Sequence, residues 1–175
     1  QFSRRALRPR YGQDARHLSN IQWFTKRMTQ AQDIVIQART WLGTPFHHQA
    51  RLKGKGCDCL GLIVGVVDEL GLKDAHGQPL AAYDEVTYSR EPDGAYLTQK
   101  LAALLEEVPF TEAQAGDLAL FTVRDNPQHM ALLTDYEGTI GMIHCYAQAR
   151  RVVEHRLDDD WKSRLVKVFR WQPSF

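Results

Sequence analysis

Between Leu60 and Leu70 the chain reads Leu-Gly-Leu-Ile-Val-Gly-Val-Val-Asp-Glu-Leu, apolar on nearly every face of a helix. A helix without a polar face has to be enclosed, so this segment predicts a rod buried through the middle of a domain. Gly71 is its expected C-terminal stop. At its other end stand Gly56-Cys57-Asp58-Cys59, with Asp58 as the natural N-cap and the Cys59 thiol on the first turn. Unpaired N–H groups and the helix dipole at such a position favour thiolate over thiol. Asp58 opposes that tendency if its charge faces the sulfur.

A chain of 175 residues is most simply one domain able to bury a core, and its composition is that of a globular protein. Three cysteines cannot close a disulfide framework, so at least one thiol is free. No stretch is long enough to span a bilayer, and the N-terminal segment lacks the apolar run of a secretory signal. The net charge of +1 is uneven, with seven basic residues against Asp14 alone in positions 1–27. The plain reading of 1–27 is a solvated basic arm or non-native extension, ahead of binding to nucleic acid or an acidic partner. Met28 could then open the domain proper, 28–175.

Thr29-Gln30-Ala31-Gln32 has the form of a capping box, and Ala31, Ile34, Val35, Ala38, Trp41 and Leu42 follow at helical spacing. Gly43 and Pro45 end that helix, and a polar loop (43–58) leads to Cys59. Residues 71–94 carry turn chemistry, and a third helix is expected near 95–107. Beyond Pro109 the period changes to that of strands: 117–123, 129–134, 140–146, 151–154 and 165–171, with a hairpin turn at Glu137-Gly138. Helices first and antiparallel strands after predict an α+β domain, with N-terminal helices packed on a C-terminal antiparallel sheet.

A thiol nucleophile needs an imidazole to move its proton and a group to orient that imidazole. Cys59 supplies the first. His129 and His144 lie on adjacent predicted strands, where an antiparallel pairing can set the rings side by side. Each residue alone has a plainer reading: a packed cysteine, or a surface or satisfied histidine. Cys57 with Cys59, His47 and His48 could suggest zinc, but the spacing is not that of a structural zinc site. Cys145, next to His144, should face the core.

Taken together, the motifs resemble the papain-like NlpC/P60 cell-wall peptidases. The residues that carry the resemblance are Ala38-Arg39-Thr40-Trp41-Leu42-Gly43-Thr44-Pro45-Phe46 and Cys57-Asp58-Cys59-Leu60-Gly61-Leu62. Downstream, Ala115–Phe121, His129–Leu133 and Met142-Ile143-His144 follow in the family's order. The resemblance implies a papain-like fold, a catalytic Cys59, His129 and His144, and no metal or organic cofactor. It also implies hydrolysis of peptidoglycan stem peptides, commonly between D-glutamate and a diamino acid. Asp58, Phe46 and His48 are the candidate substrate contacts. Leu60 stands where the family usually has Ser, and Phe46 where its aromatic loop has Tyr.

The variant His48-Gln49-Ala50 … Lys53-Gly54 … Gly56–Leu62, with Val152–Asp159 and Phe169-Arg170-Trp171, resembles the branch found in tailed-phage and gene-transfer-agent tails. That likeness implies tail-tip or hub proteins as partners, with action at the periplasmic cell wall during entry. It implies neither nucleic-acid binding nor membrane insertion. A structural tail-hub protein with little turnover, or an amidase or acyltransferase using the same thiol, are the alternative expectations.

Overall fold

The structure is a computed structural model that describes residues 14–89 and 93–172. Helix α1 (Asp14–Arg39) is longer than its sequence signal. The capping box at Thr29 does not start it. The Thr29 hydroxyl instead donates to the Thr25 carbonyl at 3.0 Å, a bond made inside a helix. Nothing from Gln22 to Met28 is a proline or glycine, so no residue stops helical propagation upstream. The 27/28 boundary therefore falls within one helix, while residues 1–13 lie outside the described residues. The C-terminal half of α1 buries Ile34, Val35 and Ala38, with Trp41 just beyond its end.

The apolar rod is α2 (Cys59–Glu69), with Gly61, Leu62, Ile63, Val66 and Val67 buried as its composition requires. Leu70 caps its C-terminus and Gly71 follows with φ +60°. Gly65 gives Trp41 a surface to lie on, since a Cβ there would come within 2.1 Å of the indole ring. Trp41 Nε1 then donates to Glu69 at 2.9 Å, which ties the two helices together. Gly61 is constrained more strictly, because its Cβ would stand 2.0 Å from the Ala50 carbonyl oxygen. Gly61→Ala is therefore expected to destabilise by about 1–3 kcal/mol through overpacking. A fall in the urea midpoint without a change in slope checks this.

The loop that crosses the start of α2 contains a two-residue ladder, β1 (Arg51–Leu52) with β2 (Gly56–Cys57). It is stitched to the sheet on its other side. Gly43 N–H donates to the Val152 carbonyl, Val152 N–H to Thr44, and Phe46 N–H to Arg150. Helix α3 (Gly94–Leu104) is capped by Asp93, which accepts from the Ala95 and Tyr96 N–H groups. It stops before the expected 107 because Glu106–Val108 forms β3, paired with the last strand.

The other strands are β4 (Leu118–Val123), β5 (Asn126–Tyr136), β6 (Thr139–Tyr146), β7 (Arg151–Arg156) and β8 (Leu165–Arg170). They form one antiparallel sheet in the order β3-β8-β4-β5-β6-β7. The hairpin turn is at Glu137-Gly138, both with positive φ. One face, with Leu118, Leu120, Met130, Leu132, Ile143 and Phe169, packs in the same core as α2. The opposite face is covered by Leu157 and by Trp161 of a five-residue helix, α4 (Asp159–Ser163). The α+β expectation holds: N-terminal helices lie on a C-terminal antiparallel sheet. Among the described residues no helix is long and apolar enough to cross a membrane.

Candidate active site

Asp58 caps α2, with its Oδ1 accepting from Gly61 N–H at 2.9 Å. Its Oδ2 accepts from Gln49 N–H at 2.7 Å and from the Tyr88 hydroxyl. His48 Nδ1 and Arg51 Nη1 approach to 3.6 and 3.7 Å. The carboxylate is buried and fully engaged, so it fastens the 43–58 loop to the helix start. It also disposes of part of the helix's unsatisfied N-terminus. Gly61 N–H is taken by the cap side chain and Leu62 N–H by the Asp58 carbonyl. The N–H groups of Cys59 and Leu60 remain, and their dipoles favour negative charge on the Cys59 sulfur.

Cys59 keeps partial exposure at the edge of β5, where its thiol faces the Gln128 carbonyl at 3.9 Å and a backbone N–H of Met130. Burial, and secondarily the Asp58 charge, push the thiol up to about 12. The helix-start N–H groups pull the other way and lose. The sequence expectation of an acidic thiol is reversed here: desolvation of a charge outweighs a partial dipole charge in a site this enclosed. Partial exposure tempers the size of the effect without changing its direction. The rate of Cys59 alkylation by iodoacetamide should therefore still climb above pH 9, with no plateau near neutrality. Cys57 and Cys145, both buried, should label only on denaturation.

The register of the sheet brings the histidines together. β5 pairs with β6 through Leu132 and Ile143, which puts His129 and His144 on the same face in diagonal positions. His129 Nε2 lies 2.8 Å from His144 Nδ1, and the two rings meet edge to face. His144 is 1% exposed, and burial lowers its pKa to about 2, with the neighbouring His129 and His155 adding to the effect. Burial alone lowers His129 to about 3. The resting pair is consequently a neutral thiol and a neutral imidazole, with His129 free to act as a base.

Two contributors have no role in the sequence motifs. Trp161 of α4 packs against His129, His144 and Tyr146 at ring distances of 5.4, 4.9 and 5.2 Å, and so walls off the imidazoles. A helix of five residues is too short to show periodicity, although Asp158 ahead of two acidic residues was an N-terminal signal. The second is His155, whose Nε2 is 2.9 Å from His144 Nε2.

A cleft of about 270 Å³ opens over these groups. Cys59 and His129 line it together with Phe46, His48, Asp58 and Tyr88. The structure thus gathers every sequence-selected residue around one space, with His144 set behind His129. Among the described residues, no group of three or more His, Cys, Asp or Glu side chains could hold a metal ion. Cys145 is buried, donating to the Cys57 carbonyl at 3.1 Å, as its position beside His144 predicted.

Solved structures share this architecture. A lipoprotein-like NLP/P60 protein from Staphylococcus aureus superposes with TM-score 0.55 at 21% identity, covering 81% of this chain and 41% of its own. This chain thus corresponds to about two fifths of that protein. The NlpC/P60 domain of the peptidoglycan hydrolase SagA gives 0.53 at 18% identity, with 79% and 97% covered. An N-acetylmuramoyl-L-alanine amidase from Bacteroides uniformis gives 0.53 at 11% identity, with 82% and 99% covered. No curated protein matches. The model of the NlpC/P60 family matches residues 43–170, a span that takes in α2, the loop before it and the sheet through the end of β8. With the match covering most of the chain and all the elements that build the cleft, the chain belongs to the NlpC/P60 family.

Proposed function

We propose that this protein is a cysteine peptidase that hydrolyses stem peptides of bacterial peptidoglycan. The observation that carries the proposal is a thiol and an imidazole lining one cleft, with the imidazole held at 2.8 Å by a second, buried imidazole. The fold shared with a domain of a peptidoglycan hydrolase and with an amidase supports the substrate class.

Cys59 Sγ attacks the scissile carbonyl carbon as its proton passes to His129 Nδ1, the ring nitrogen not engaged by His144. The N–H groups of Cys59 and Leu60 receive the oxyanion, the type of interaction whose loss typically costs about 10²–10³ in rate. The imidazolium then protonates the leaving amine as the C–N bond breaks. Water, deprotonated by the same imidazole, cleaves the thioester and restores the thiol. Starting from neutral partners, the proton transfer accompanies attack rather than preceding it.

Phe46 and His48 on the cleft wall are the proposed substrate contacts. Asp58, with its oxygens already occupied, offers a substrate ammonium the negative charge of that wall. The scissile bond is that between D-glutamate and a diamino acid, by the family resemblance. The likeness of the Cys57–Leu62 variant to tail-associated members supports delivery in a phage or gene-transfer-agent tail, with tail-tip or hub proteins as partners. Acyl transfer is favoured by one feature, an apolar cavity of about 140 Å³ that also borders Cys59.

Digestion of purified sacculi under reducing conditions, followed by mass analysis of soluble fragments, tests the proposal. Fragments newly ending in D-glutamate are the expected result. Free stem peptides beginning with L-alanine would assign an amidase instead. Intact sacculi would favour transfer or a structural role.

A further inference from the structure

His155 makes the site a row of three imidazoles. β6 pairs with β7 through His144 and Val153, and Met142 and His155, so His144 and His155 again share a face diagonally. The row crosses β5, β6 and β7, with nitrogen–nitrogen distances of 2.8 and 2.9 Å. At its outer end His155 Nδ1 lies 2.8 Å from the Arg156 carbonyl oxygen.

That carbonyl gives the row a direction. A carbonyl oxygen only accepts, so His155 Nδ1 must carry a hydrogen. Neutral His155 then has a lone pair at Nε2, which obliges His144 to donate from its own Nε2. His144 Nδ1 is left as an acceptor, so His129 must donate from Nε2. The remaining nitrogen, His129 Nδ1, is a lone pair, the only state in which it can take a proton from a thiol.

An imidazole orienter needs such a reference where a carboxylate does not. A carboxylate always accepts. Neutral His144 can present either a lone pair or an N–H at Nδ1, and the second choice would reverse His129 and point an N–H at Cys59. His144 is too buried for water to decide between them. Trp161 lies against His129 and His144 at 5.4 and 4.9 Å, and Tyr146 stacks on His144 at 5.5 Å, so the two buried rings are held in place by aromatic walls.

We propose that His155 is a positioning residue: anchored on the Arg156 carbonyl, it sets through His144 the tautomer of His129 that can accept the Cys59 proton. The inference rests on the reading of Cys59 and His129 as nucleophile and base, and its test needs no wall substrate.

Nitrogen-15 NMR of the histidine-labelled protein near neutral pH reads the tautomers directly. The expected pattern is Nε2–H at His129 and His144 and Nδ1–H at His155; Nε2–H at His155 overturns the inference without any variant. Acetylation of Cys59 by p-nitrophenyl acetate, which forms the thioester and releases p-nitrophenol, gives the functional readout by mass. His155→Lys, a donor only, should turn His129 to Nδ1–H and slow acetylation by about 10²–10⁴-fold, the worth of a general base. His155→Leu, with neither group, should mix the tautomers and cost about tenfold. His155→Gln, which keeps an acceptor of similar reach, should restore most of the rate. An unchanged His129 tautomer and full acetylation in both the Lys and Leu variants would sink the proposal. Tautomers that follow His155 while sacculi stay intact would leave it standing and remove the peptidase reading alone.

Discussion

Cys59→Ala will abolish release of peptide fragments from sacculi, with a rate loss of about 10⁴-fold or more, the scale at which other enzymes lose their nucleophile. The change removes one sulfur at a partly exposed helix start and leaves the Asp58 cap untouched, so the fold should survive. Equal melting temperatures for the two proteins would show that the lost activity is chemical. Cys57→Ala supplies the contrast. Its side chain is fully buried beside Cys145, and its loss should lower stability while leaving turnover per folded molecule unchanged. Fragment release that persists in Cys59→Ala would remove the thiol from the mechanism altogether.

Acid should unfold this protein early. Burial holds His129 and His144 at about 3 and about 2, against 6.5 for an exposed ring. Below about pH 6.5 the unfolded chain therefore binds more protons than the folded one, and stability falls as pH drops from there towards 3. The stabilisation is fully present above 6.5 and is lost on the acid side. At pH 5 the linkage amounts to about 2 kcal/mol per ring. For a domain of this size that lowers the melting temperature by about 10 °C between pH 7 and 5. Replacing the inner ring with a non-titrating acceptor, His144→Asn, should flatten the profile. A melting temperature constant across this range would mean the rings are not buried as neutral species.

Much of the site was legible because its parts obey local rules. An all-apolar helix can only be central, a capped helix start marks its first residue, and strand alternation fixes which histidines share a face. The resemblance then supplied roles that no spacing supplies. What was not legible depended on competition or on register. The Thr29 capping box is a sound local signal, but the helix-compatible residues before it propagate the helix regardless. The acidity of Cys59 set a dipole against desolvation, and only the depth of the site decides that contest. His155 sits in Val-Val-Glu-His-Arg, a stretch that carries a family likeness but gives the imidazole no role. Its meaning lies in the offset between β6 and β7, which the turn at 147–150 sets and the strand pattern alone does not.

The stitching of Gly43, Thr44 and Phe46 to β7 joins two tasks in one piece of backbone. Phe46 lines the cleft from the loop, while His155 extends from the strand to which that loop is bonded. A ligand that presses on the cleft wall therefore also loads the strand that references the imidazole row. Substitutions along 43–46 should then register in kcat as well as KM. On the roles proposed for Phe46 and His155, recognition and proton transfer share one piece of backbone, so a change in the cleft wall of this protein also retunes its base.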